Sequence, residues 1–381
     1  MIHESIYFSK EEILRRAKKY EFPNAIAVEY FLWDCELTAQ LQSVCEDLIL
    51  KGGAATQLHL PLEKQRGSKD VDMVTSLEEQ DIQGIIDKVS EKFAGCATYT
   101  LYEPKNPLVN LPLKTYYAHV NSEIDPQRIK LNVKLDFICN CPKLPSISLN
   151  AVQTYALEAK NIICSTAGAL AGDKLLSLAE GSIGLDLDID FVKQVYDVDA
   201  LLENCDVSTN FVNDFLTSIR NLVPIESSYR KINITPKDAL CQIIQSMERY
   251  SLVDINTGGS KIIALIQSFQ QFYVNTRQRK PYYEWSTKAL RIRFLAILAC
   301  DLVDEKRSIE EVKEIIGRCK RIEKSLEEVI GNKVASIKTE ILKVAESKAY
   351  YYSKLLKGKP LTRVFWQIVS PDNLDSMNKI V

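Results

Sequence analysis

The sequence predicts an α+β fold, with a small mixed sheet and its helices over residues 1–160 and a mainly α-helical domain over residues 161–381. Three observations predict it. Short apolar runs broken by glycine fill Leu48 to Met73, and similar runs recur around Lys134 to Cys139, as buried strands do. After about Pro145 the strand signals fade and apolar residues recur at helical spacing. Between the apolar runs, Leu77 to Phe93 is amphipathic with a helical period, which places a helix among the strands.

The elements follow in order. Ser9 and Glu12 have capping-box spacing, so a short charged helix is expected from Glu12 to Tyr20. Asn24 then caps a helix running to about Val44 that packs beneath the strands. Leu48 to Lys51 reads as a strand entering a tight turn at Gly52-Gly53, and Thr98–Tyr102 and Leu113–Val120 read as further strands. Helices are expected at Ala167–Ala179, Ile189–Leu202, Val207–Leu222, Pro236–Ser251, Gly259–Thr276 and Tyr282–Leu302. The charged stretch Ser308–Lys357 is a further helical candidate, and within it Ser308–Lys348 reads as an exposed helix or helical hairpin laced with i,i+4 pairs.

Composition excludes several classes. No charged leader precedes an apolar segment, and apolar runs such as Phe294–Cys300 fall short of the ~20 residues that span a bilayer, so a cytoplasmic protein without membrane segments is expected. The 10 cysteines are scattered, which suits free thiols in a reducing compartment. Cys139 and Cys141 form a CxC without a second ligand pair, and zinc is discarded. Charge is uneven along the chain: residues 1–260 hold 25 Lys and Arg against 36 Asp and Glu, whereas residues 261–381 hold 23 against 14. An acidic catalytic part joined to a part that meets an anion is the expectation.

The chemistry concentrates in Arg66-Gly67-Ser68-Lys69-Asp70-Val71-Asp72. Residues two apart on a strand share a face, so Asp70 and Asp72 project side by side with Val71 behind. Two carboxylates on one face repel unless a cation lies between them, and oxygen ligands favour Mg²⁺ or Mn²⁺. Asp136 stands alone between Leu135 and Phe137, where burial of an unpartnered charge would be costly. If its strand neighbours that of Asp70 and Asp72, the three acids can hold two metals for in-line displacement at an α-phosphate. Gly52 and Gly53 would let backbone N–H groups approach the outer phosphates of an NTP, with Ser68 donating a hydroxyl and Arg66 balancing charge.

Lys51-Gly52-Gly53-Ala54-Ala55 followed by Arg66-x-Ser68-x-Asp70-Val71-Asp72 resembles the first motif of the AbiEii-type nucleotidyltransferase toxins of toxin–antitoxin pairs, within the polymerase-β-like superfamily. Leu135-Asp136-Phe137 is similar to the second motif, and Asp173-Lys174-Leu175 with Tyr196-Asp197-Val198 is similar to the two halves of the third. The resemblance covers roughly residues 22–202. It implies that Lys174 reaches the triphosphate and that Asp197 orients Lys174 or helps deprotonate the acceptor. It further implies transfer of NMP from an NTP to an acceptor and a possible cognate antitoxin. Some members of that family modify tRNA 3′ ends, which makes tRNA the expected acceptor.

Arg277, Arg279, Lys280, Lys288, Arg291 and Arg293 interleave with Tyr273, Tyr282, Tyr283 and Trp285, and Tyr350 to Tyr352 lie near Lys354, Lys357, Lys359 and Arg363. Cations beside aromatics suit a single-stranded RNA end, so the helical domain is expected to carry a basic acceptor-binding surface. Two other readings remain open: transfer to a protein or small-molecule hydroxyl, and a non-catalytic regulatory protein on the same fold. Ala54, Gln194 and Gly181, which depart from the resembled motifs, motivate the last.

Overall fold

The computed structural model of the protein describes residues 1–103, 112–125, 127, 130–255 and 261–380. The first part of the chain runs α1 (Lys10–Lys19), α2 (Ala25–Gln42), β1 (Ile49–Lys51), α3 (Gly52–His59), β2 (Asp70–Val74), α4 (Glu79–Lys92), β3 (Thr98–Tyr102), β4 (Leu113–Val120), β5 (Leu131–Ile138), β6 (Ser146–Gln153) and β7 (Glu158–Ser165). Among the described residues the strands form one mixed sheet in the order β3-β4-β5-β2-β1-β7-β6. β2 is parallel to β5 and β1 is parallel to β7, while the other neighbours are antiparallel.

Period-two alternation sets the two faces. Val71, Leu135 and Tyr116 are buried, and their register partners across the strands align them as one apolar row. Tyr116 donates its hydroxyl to Gln83 of α4, so α4 covers that face. α2 packs against α4, β2, β5 and β7, beneath the strands as expected. Asn24 caps α2 by accepting a hydrogen bond from the Ile26 N–H at 2.9 Å.

The helices that follow are α5 (Ala167–Leu176), α6 (Ile189–Asn204), α7 (Thr209–Arg230), α8 (Pro236–Tyr250), α9 (Lys261–Phe272), α10 (Tyr282–Val303), α11 (Ile309–Glu327), α12 (Lys333–Val344), α13 (Ala349–Leu355), α14 (Leu361–Ile368) and α15 (Leu374–Asn378). The expected start of α9 at Gly259 lies outside the described residues. Among the described residues no helix is long and apolar enough to cross a membrane. The ten cysteines are all free thiols.

Four local expectations need correction. Strands do not end near Pro145, because β6 and β7 complete one side of the sheet. β6 is an edge strand whose Ile147 is exposed and whose own residues include Ser146, Ser148, Asn150 and Gln153, so its apolar signal is diluted. Gly52-Gly53 is not a free turn but the first residues of α3. α7 runs on through Pro224 to Arg230 rather than stopping at Leu222. Finally, the charged stretch after Ser308 is not an exposed arm throughout: α11 buries Val312, Ile315, Ile316, Cys319, Ile322 and Leu326 against the other helices.

The basic, aromatic-interleaved segment is largely turned inward. Asp199 of α6 is fully buried, and Arg291 reaches it at 2.6 Å while Lys288 bonds its other oxygen. Arg291 also pairs with Glu323 at 2.7 Å, and Trp366 donates to the same Glu323 oxygen. Burial would raise the Asp199 carboxyl, but Arg291 and Lys288 outweigh it and hold it at about 2. Arg293 pairs with Glu248, Arg277 with Glu21, and Arg363 is buried against Asp254. These cations therefore join helices together, and Lys288, Arg291 and Arg363 offer no free charge to a phosphate. Tyr350 and Tyr351 do stay exposed, with the Lys354 ammonium 4.5 Å from the centre of the Tyr350 ring.

Candidate active site

The polar face of the sheet carries the candidate acids because of register. In the parallel β2–β5 pair, Asp70 lies opposite Lys134 and Asp72 opposite Asp136. The two central strands thus bring all three sequence-predicted carboxylates into one cavity of about 440 Å³. Gly52, Gly53, Arg66, Ser68 and Lys174 line the same cavity. Asp197 does not line it but sits directly behind.

Gly52 makes that closeness possible. Its φ is +69°, and a Cβ there would lie 1.9 Å from Asp72 Oδ2, so only glycine lets the start of α3 meet the acid. Lys51, at the N-cap of α3, makes no side-chain capping hydrogen bond. An uncapped helix start carries partial positive charge and unsatisfied donors, which suits phosphate oxygens.

Charge in the cavity is unevenly paired. Lys51 contacts Asp173 at 2.9 Å; burial opposes its charge, but Asp173 raises it to about 12. Asp136 accepts from Lys134 and from the Thr115 hydroxyl, each at 2.6 Å. Among the described residues Asp70 and Asp72 accept no hydrogen bond and join no ion pair. Burial, then the neighbouring Asp136 and Asp70, push Asp72 up to about 6 despite Lys51, and burial also raises Asp70. Two unpartnered carboxylates on one strand face form a donor set that a hard divalent cation fits, because Mg²⁺ is commonly held by one or two carboxylates together with substrate phosphates. Among the described residues no three Asp, Glu, His or Cys side chains converge tightly enough to hold a metal by themselves. Of the three acids, Asp136 is the one whose oxygens are already engaged, by Lys134 and Thr115.

Behind this row, Asp197 is fully buried and receives Arg66 Nη2 at 2.5 Å and Lys174 Nζ at 2.7 Å on the same oxygen. Burial would raise Asp197, but Arg66 and Lys174 outweigh it and hold it below its ordinary value. Asp197 therefore orients both cations; it has no exposed oxygen with which to deprotonate an acceptor. Gln194 accepts a further bond from Lys174 at 3.1 Å. Sequence reasoning gave no role to Lys51, Lys69, Lys134, Asp173, Asp190 or Lys193, and it placed Tyr273 only among the aromatics of the basic segment, yet all of them line the cavity. Of these, Lys51 and Asp173 flank motif residues, a signal that could have found them. Asp34 of α2 was also missed: it is fully buried beside Ser68, and burial and then Asp70 raise it well above the usual carboxylate range despite the Ser68 hydroxyl.

Residues 37–231 match the family model described as "Nucleotidyl transferase AbiEii toxin, Type IV TA system". The chain belongs to the AbiEii family. Membership makes it a nucleotidyl transferase of toxin–antitoxin type and implies a cognate antitoxin. In this AbiEii chain the matched span runs from within α2 to the end of α7 and includes the sequence-predicted catalytic, metal and nucleotide-binding residues, while the basic segments after Tyr273 lie beyond it. No curated protein matches the chain. Among solved structures it is similar to JHP933 from Helicobacter pylori, at 11% identity and a TM-score of 0.40, over 78% of this chain and 96% of that chain.

Proposed function

We propose that the protein is a metal-dependent nucleotidyltransferase that moves NMP from an NTP to an RNA acceptor, the 3′ end of a tRNA, in the cytoplasm. The observation that carries this reading is the pairing of unpartnered Asp70 and Asp72 on one strand face with the uncapped start of α3 at Gly52 and Gly53. Residues 1–160 serve as a polymerase-β-like catalytic domain, and residues 161–381 as the helical domain that completes the site through Lys174.

In this reading the acceptor hydroxyl gives up its proton to solvent as its oxygen attacks the α-phosphorus in line, the bond to the bridging oxygen breaks, and pyrophosphate leaves. The α3 N–H groups at Gly52 and Gly53 and the Ser68 hydroxyl bind phosphate oxygens. Lys174 and Arg66, held by Asp197, supply fixed positive charge as the leaving group develops. Mg²⁺ or Mn²⁺ bound by Asp70 and Asp72, and by Asp136 once Lys134 yields it, would supply Lewis-acid polarisation and a more acidic acceptor hydroxyl.

The test is incubation of the protein with α-labelled NTPs, Mg²⁺ and total RNA, with a protein extract and an aminoglycoside as parallel acceptors. Label in RNA supports the proposal. Label only in protein or the small molecule overturns the RNA acceptor, and label in none of them, with no pyrophosphate released, overturns the transferase.

A further inference from the structure

A cavity of about 350 Å³ lies between the C-terminal end of α6 and helices α10, α11 and α14, and none of its lining residues lines the catalytic cavity. Its volume is that of a small-molecule pocket. Leu202, Phe294, Leu295, Ile316 and Trp366 form its apolar walls, and all five are buried. Trp366 is held in place from two sides. Its ring stands edge-on to Phe294 with centres 5.6 Å apart, and its N–H donates to Glu323 at 2.7 Å.

The charged groups of this cavity are unequally satisfied. Arg291 is divided between Asp199 and Glu323, and Glu203 meets Lys64 at 3.7 Å. Lys320 and Lys324, one turn apart on the same face of α11, line the cavity and join no hydrogen bond or ion pair among the described residues. Glu327 is the one lining acid without a partner among the described residues, and it is exposed. Two free cations thus face one free acid. Lys324 is exposed as well, whereas Lys320 is half-buried, and burial holds it below the ordinary lysine value although Cys205, Glu203 and Asp206 lie near it. A charge kept half out of water without a counter-charge carries a cost that an anion would remove.

Walls and charge together define the occupant. Aromatic and aliphatic walls take a flat apolar body, and the ammonium groups at its edge take an anion. A nucleoside triphosphate suits the cavity poorly, because its sugar hydroxyls would face Leu202 and Leu295 and its charges would outnumber two ammonium groups. We infer that this cavity is a binding site for a small aromatic anion, a ring system bearing one carboxylate or sulfonate, with the ring between Phe294, Ile316 and Trp366 and the anion on Lys320. No step of the transfer reaction uses this site.

The experiment titrates the full-length protein with anilinonaphthalene sulfonate, an aromatic anion, and with phenylnaphthylamine, the same rings without the charge, and reads binding by probe fluorescence. The sulfonate is expected to bind at a single saturable site, about tenfold more tightly than the neutral probe. Lys320→Met lowers the sulfonate affinity about tenfold and leaves that of the neutral probe unaltered, and Ile316→Trp, which fills the cavity, abolishes binding of both. Lys320 stands at the partly exposed edge, so its variant reads the site even if Ile316→Trp fails to fold. Absence of saturable sulfonate binding, equal affinity of wild type for the two probes, unaltered sulfonate affinity in Lys320→Met, or sulfonate binding retained by a folded Ile316→Trp overturns the site. NMP transfer is no part of the readout, so each of these results leaves the transferase reading intact.

Discussion

Gly52 and Asp72 are packed so closely that a Cβ on residue 52 would stand 1.9 Å from the Asp72 carboxylate oxygen. The contact couples the end of β1 to the central strand and places a helix start against an acid. Gly52→Ala is therefore expected to cut NMP transfer at least about a hundredfold, because the methyl group must displace Asp72. Strain at positive φ adds about 1 kcal/mol of destabilisation. Transfer assays with a parallel thermal melt separate the two effects; wild-type transfer by a folded Gly52→Ala would show that the contact is irrelevant.

Asp197 neutralises two buried cations at once. Asp197→Asn leaves Arg66 and Lys174 without their counter-charge and should cost about 3 kcal/mol in urea unfolding. The folded carboxyl is held below its ordinary value, so its contribution is present above that value and is lost as pH falls through the folded pKa. The gap between wild type and variant is thus widest near neutrality and closes in acid. A gap that does not change with pH would place the loss elsewhere.

Much of the site was legible because it follows strand periodicity. Asp70 and Asp72 share a face whatever surrounds them, and Asp136 stood out as one acid in an apolar run. What the sequence could not convey was pairing. Lys288 and Arg291 read as surface charge until Asp199 and Glu323 are placed beside them. α3 was hidden because two glycines at the head of an eight-residue helix look like a turn. Leu202, Phe294, Ile316 and Trp366 lie on four different elements and meet only in three dimensions. β6 escaped because an edge strand need not be apolar.

Asp34 is an acid fully buried under the site, beside Ser68 and Asp70. Its raised pKa means that its stabilising protonated form is fully favoured below the ordinary carboxylate range, and that stability is lost as pH rises towards the folded value. Asp34→Asn removes the ionisation, so its melting temperature should exceed that of wild type at pH 8 and match it near pH 4, within the usual carboxylate range. Differential scanning calorimetry at both values checks this, and a variant less stable than wild type at pH 8 would contradict it.

Asp72 carries the same sign in a more exposed place. With its folded value near 6 against an ordinary 3.8, the stability linked to its proton is intact below about 4 and is lost as pH rises through 6. Metal-free Asp72→Asn is expected to melt above metal-free wild type at pH 7.5, and Mg²⁺ is expected to raise only the wild-type melting temperature. An equal Mg²⁺ response in both proteins would mean that the ion binds elsewhere.

The central claim is that Asp70 and Asp72 act together in nucleotidyl transfer. It is tested most directly by following the α-phosphate label from NTP to acceptor with wild type, Asp70→Asn and Asp72→Asn at saturating Mg²⁺. The account predicts labelled acceptor with wild type and at least about a hundredfold less with either folded variant. Transfer at the wild-type rate by both variants would contradict it.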